Sequence, residues 1–144
     1  MTTTTASTPY TVPALRRPVA VLGAVAAAVV VNLIVWAIGA AAGGSFIAIE
    51  KGEAMDVAPG GVVIMSAVPL LIGLTVAVLV SYLWTGVLRT AAVIGSLLSL
   101  ATIGLTVATD FDAASTVALS VMHVTLVPII VIALEGVRRG IAAE

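Results

Sequence analysis

The sequence predicts an all-α protein, a four-helix antiparallel transmembrane bundle in the N-in, C-in orientation. Three observations carry that prediction. All thirteen Asp, Glu, Lys and Arg residues fall outside four apolar runs, 18–42, 61–83, 90–109 and 113–134. Each run is long enough to span, since about 20 apolar residues at ~1.5 Å each cross a hydrocarbon layer of about 30 Å. Five of the six basic residues, Arg16, Arg17, Arg89, Arg138 and Arg139, fall on alternate connections, leaving Lys51 alone on the other side. Orientation follows Lys and Arg rather than net charge, so these five arginines read as topology anchors that hold both termini in the cytoplasm.

Composition narrows the class further. A chain of 144 residues has room for one domain, and 61% apolar residues with a mean hydropathy of +1.27 exceed what a soluble core absorbs. The net charge is −1, and the largest basic clusters are the pairs Arg16-Arg17 and Arg138-Arg139, too little for a nucleic-acid surface. Without cysteine there are no disulfides, thiolate metal sites or cysteine nucleophiles. The expected partners are the lipid bilayer and either another membrane protein or a second copy of the chain.

Along the chain, residues 1–17 are rich in Thr, Ser and Pro without helical period, and read as a disordered cytoplasmic tail with a basic end. The transmembrane domain covers 18–139, and 140–144 form a short cytoplasmic tail. Pro18 suits a first helical turn, where its missing N–H leaves no bond unmade. The first run is longer than the apolar core of a signal peptide, about 7–15 residues, so it reads as a retained helix. In the loop that follows, Phe46-Ile47-Ala48-Ile49 either lies in the interface, packs over the helix ends, or belongs to a plain surface linker with Glu50, Lys51, Glu53 and Asp56. Pro59-Gly60-Gly61 breaks the chain before the second span. The short connections at 84–89 and 110–112 predict helix 2 beside helix 3 and helix 3 beside helix 4. Tyr82 and Trp84 match an aromatic belt, and Asp112 suits the N-cap of the fourth helix, where a carboxylate meets orphan N–H groups.

Function in such a chain should show in polar groups inside the bilayer, where an unsatisfied one costs about several kcal/mol. Asn32 and His123 lie near the midplane of helices 1 and 4, and Ser99 and Thr102 near that of helix 3. Together they form a candidate intramembrane polar site. A neutral His123 bonded to Asn32, Ser99 or Thr102 is the first reading, since burial disfavours the imidazolium; proton handling or ligand binding is the second. Stripes of small residues, such as Ala24, Ala28, Asn32 and Gly39 in helix 1, read as packing seams. Pro69 and Pro128 each remove a backbone bond, freeing the carbonyls of Met65 and Val124, and read as helix kinks. The runs contain no Asp or Glu for acid–base work, no Ser/His/Asp set and no HExxH, so no catalytic residue, metal site or cofactor is assigned.

Val31-Asn32-Leu33-Ile34-Val35-Trp36, an acidic outer loop, and Ala118-Leu119-Ser120-Val121-Met122-His123 in the last helix resemble, in that order, a family of small four-helix membrane proteins from high-GC actinobacteria, a domain of unknown function. The resemblance covers about residues 18–134, and the Met122-His123 pair is its most specific element. It implies four spans in a bacterial cytoplasmic (inner) membrane and supplies no activity. The expected function is that of a non-enzymatic multi-pass accessory, assembly or envelope-associated subunit. The alternative is a small transporter or channel with a path lined by Asn32, Ser99, Thr102 and His123. A haem or redox membrane protein would depend wholly on His123.

Overall fold

The computed structural model describes residues 11–50 and 52–143. It contains α1 (Arg17–Ala41), β1 (Ile47–Glu50), β2 (Glu53–Asp56), α2 (Pro59–Val80), α3 (Val87–Ala108) and α4 (Ala113–Ala142). All four helices are long and apolar enough to cross a membrane. Prolines stand in the first turns of α1 and α2, and Asp112 caps α4 through its side chain. The last helix continues past residue 134 because Glu135 accepts from Arg138 and Arg139, giving that polar stretch bonds one turn apart. Large apolar side chains such as Met65 and Leu105 face outward, at 74% and 70% exposure, as a lipid-facing surface requires.

Neighbours are chosen by small residues rather than by loop length. The inner stripe Ala20, Ala24 and Ala28 of α1 is buried, Ala28 completely, and lets α1 lie against both α2 and α4. α3 packs on α4 as expected. The expectation that α2 would lie beside α3 is corrected: these two touch over only a small area, and α1 takes the place of α3 along α2. A short connection brings helix ends together, but lengthwise packing follows the close-approach seam, and α3 buries only Leu88, Ser99 and Thr106.

Charges sort by end. At one end Leu15 N–H donates to the Gly136 carbonyl (2.9 Å), and the Arg17 guanidinium lies 4.3 Å over the Tyr82 ring. Leu15, expected to belong to a disordered tail, thus lies against the end of α4; residues 1–10 of that tail are outside the described residues. Gly136 and Gly140 make the seat. A Cβ on Gly136 would fall 2.7 Å from the Leu15 side chain, and one on Gly140 2.6 Å from the Leu15 carbonyl oxygen.

At the other end the loop is a hairpin that packs over the helix ends rather than a plain surface linker. β1 and β2 pair antiparallel, from Ile47 opposite Asp56 to Glu50 opposite Glu53, and Gly52 turns the chain with φ of 86°. Phe46, 1% exposed, enters the bundle and stacks on Trp36 with ring centroids 5.4 Å apart. Its φ of 53° lies in the left-handed region, an arrangement that costs a non-glycine residue about 1–2 kcal/mol and is held here by burial of the ring. Trp36 also donates its indole N–H to the Val57 carbonyl (2.9 Å), tying α1 to the end of the hairpin.

Gly39 gives Phe46 its room, because a Cβ there would sit 2.6 Å from the Ala118 Cβ and 2.8 Å from the Phe46 ring. Gly39→Ala should therefore destabilise the protein by about 1–3 kcal/mol through overpacking. Gly23→Ala, in the same helix with no atom near the new Cβ, should be neutral or slightly stabilising. Thermal unfolding in detergent, followed by Trp36 emission in a Trp84→Phe background, measures both; equal effects would remove the close-packing account.

Candidate functional site

The four midplane residues divide between two places. Asn32, 3% exposed, donates through Nδ2 to Ser66 Oγ (2.8 Å) and accepts at Oδ1 from Thr125 Oγ1 (3.0 Å). One amide thereby joins α1, α2 and α4. Thr125 also lies 2.8 Å from the Met122 carbonyl, so its hydroxyl is shared between two acceptors.

His123 is not part of this cluster. Its Nδ1 lies 2.8 Å from the Leu119 carbonyl one turn earlier. A carbonyl only accepts, so Nδ1 is the donor in this bond. Ser99 donates to the backbone carbonyl of His123 (2.7 Å) rather than to its imidazole, and Thr102 donates to the Ser99 carbonyl (2.6 Å). The expectation that the imidazole meets Asn32, Ser99 or Thr102 is corrected accordingly. Helical geometry explains the outcome: a histidine in mid-helix reaches the carbonyl four residues back with no partner helix needed, whereas Asn32 has an amide that neighbouring hydroxyls can satisfy on both sides.

Both prolines lie inside helices, Pro69 in α2 and Pro128 in α4. The Ser99 hydroxyl goes to the His123 carbonyl, one residue before the Val124 carbonyl that Pro128 leaves without its helical N–H donor.

A third polar cluster stands outside the spans. Asp112 Oδ1 accepts from Ser115 N–H (2.9 Å), the N-cap bond expected from sequence. Its Oδ2 accepts from Ser115 Oγ (2.6 Å), Ser45 N–H (2.9 Å) and Ser45 Oγ (2.8 Å). Ser115 Oγ, fully buried, in turn accepts from Phe46 N–H (2.8 Å). The Ser115 hydroxyl and N–H, and then the Ser45 N–H and hydroxyl, hold the Asp112 carboxyl well below the usual carboxylate range. One cap residue thus organises the start of α4 and the entry to the hairpin.

The arginine anchors gather at the opposite end. Arg138 forks onto Glu135 through Nε (2.7 Å) and Nη2 (2.6 Å), and Arg139 Nε reaches Glu135 Oε1 (3.2 Å). Arg89 and Arg138 line a common surface depression.

Comparison with protein families matches residues 12–140 to a family of unknown function, DUF6069. The chain belongs to DUF6069. Comparison with curated proteins and comparison with solved structures each found no match. For this DUF6069 chain the residues that sequence reasoning passed over are Thr125, Ser45 and Ser115, and Trp36 entered only through the resemblance, without its partners Phe46 and Val57. An Asp followed three residues later by Ser before an apolar run signals a cap that can hold the Ser hydroxyl as well, but nothing local points from there to Ser45.

Two outcomes follow from these bonds. Asn32→Ala should cost about 1 kcal/mol, the scale of interhelical hydrogen bonds in lipid, and should couple with Ser66→Ala and Thr125→Val in double-mutant cycles. Steric-trap or detergent unfolding measures this, and strictly additive losses would dissolve the cluster. Asp112 has a depressed folded-state pKa, so its contribution is complete above the ordinary carboxylate range and is lost as pH falls below about 4. Trp36 emission should therefore report release of the hairpin on acidification, and Asp112→Ala should show the released signal already at pH 7.

Proposed function

We propose that the protein is a non-enzymatic, multi-pass protein of an actinobacterial cytoplasmic membrane, with both termini in the cytoplasm, acting as an accessory, assembly or envelope-associated subunit. One observation carries this reading. Asn32, Ser99, Thr102 and His123 each use a side-chain bond to tie helices together or to satisfy local backbone, and they do not converge on one path. The polar chemistry of the bundle is spent on holding shape. What that shape presents is the ordered outer hairpin, pinned by five hydrogen bonds around Asp112 and Ser115, with Ile47 and Ile49 exposed on one face.

The N-in, C-in orientation is supported by the gathering of Arg17, Arg89, Arg138 and Arg139 at the end opposite the hairpin. Single cysteines at Asp56 and Ala143, both exposed, test it without disturbing the Asp112 cap or the Gly140 seat. A membrane-impermeant maleimide applied to intact cells should label Asp56→Cys and spare Ala143→Cys; the reverse pattern overturns the orientation.

The accessory role is tested by native purification with mass spectrometry of the intact protein and of the Asp112→Ala variant. A stoichiometric protein partner that is lost with the cap, while the bundle stays folded, is the expected result. Flux of a solute in reconstituted vesicles, abolished by Asn32→Ala and His123→Ala at unchanged stability, would favour the small transporter or channel instead.

A further inference from the structure

At the basic end α3 and α4 leave a groove of about 530 Å³ between them. Its walls are apolar, formed by Ala92, Val93, Val131 and Leu134, and Arg89 and Arg138 stand at its mouth. A second depression of about 330 Å³ begins on the far side of the same two arginines, lined by Thr85, Gly86, Ile141 and Ala142. An apolar slot, a pair of guanidinium groups and a shallow shelf that carries the Thr85 hydroxyl therefore follow one another along the helix axis. This is the order of tail, phosphate and headgroup in a phospholipid.

Charge at the mouth favours an anion. Among the described residues Arg89 forms no ion pair, and Arg138 gives only Nε and Nη2 to Glu135. The Glu135 carboxylate also lines the groove, but Arg138 and Arg139 together exceed its charge, and Arg89 adds a further positive charge. Inside the groove the Ser96 hydroxyl is buried without a partner. A purely apolar occupant, such as the helix of a second copy, would leave it so, whereas the ester carbonyls of a glycerolipid are acceptors.

We propose that this groove binds one anionic glycerophospholipid, with an acyl chain between α3 and α4 and the phosphate at Arg89 and Arg138. The site requires the bundle to reside in a bilayer and does not depend on the accessory role, so either can fail alone. In a membrane of the proposed orientation the mouth lies at the cytoplasmic leaflet, where anionic headgroups and juxtamembrane arginines attract one another.

The test is native mass spectrometry of the full chain in detergent, titrated with phosphatidylglycerol, with phosphatidylcholine of the same acyl chains, and with glycerol phosphate. Phosphatidylglycerol should bind at one per chain, with phosphatidylcholine and glycerol phosphate each much weaker. Arg89→Gln should weaken binding about fivefold, the worth of one arginine at an anionic surface. Arg16→Gln, at the same end but outside the groove, should leave it unchanged, and Ala92→Leu, which fills the slot, should abolish it. Thermal unfolding confirms that each variant is folded, and Arg89→Gln, at an exposed position, keeps the test available if Ala92→Leu is not. Equal binding of the two lipids, equal loss in Arg16→Gln and Arg89→Gln, or full binding of glycerol phosphate would each overturn the proposal.

Discussion

In hydrocarbon, apolar side chains gain little by meeting one another, because the lipid is as apolar as they are; close backbone approach and satisfied polar groups must hold the helices instead. The three-helix junction at Asn32 combines both. It sits in the small-residue stripe of α1, so α2 and α4 come near enough for Ser66 and Thr125 to reach one amide from opposite sides. The arrangement of helices follows from that junction. α1 and α4 become the central pair, α2 attaches to α1, and α3 is left to α4.

The two ends of the bundle are finished by different chemistry. At the hairpin end, a single carboxylate gathers N–H and O–H donors from two segments far apart in sequence, and an aromatic stack covers the inner face. At the basic end, backbone contact does the work: an extended segment lies on two glycines of α4, with an arginine resting on a tyrosine nearby. The first device is sensitive to protons and the second to side-chain volume, so the ends can be perturbed independently.

The four spans and the cap at Asp112 were legible in sequence because each depends on local information: run length, charge placement, and a carboxylate just before an apolar stretch. The partners of Asn32 were not. Depth alone made His123 as good a candidate as Ser66 or Thr125, and only the rotation of each helix about its axis decides which side chain faces which neighbour. Packing of the Phe46 stretch over the helix ends was among the readings the sequence allowed, but its pairing with Trp36 was hidden for a related reason. Each looks unremarkable in its own segment, and their stacking exists only once the hairpin has folded back over α1. α4 runs past the apolar stretch that ends at residue 134 because charged residues end a lipid-facing run without ending a helix, and Glu135 with its two arginines continues the turn.

The position of α4 in the chain has a consequence for biogenesis. It follows α1, the hairpin, α2 and α3 in the chain, yet α1, α3, the hairpin and Leu15 all dock on it. Until the ribosome releases this helix, α1 and α2 have each other, while α3 has almost nothing and Leu15 has no seat. The nascent chain must therefore wait in the membrane as a loose helix pair with a trailing helix, its amide and hydroxyls only partly satisfied. Completion of the thirty-residue α4 then closes the junctions at Thr125, Ser115 and Gly136 together, which makes assembly of the bundle a late, concerted event rather than a helix-by-helix accretion.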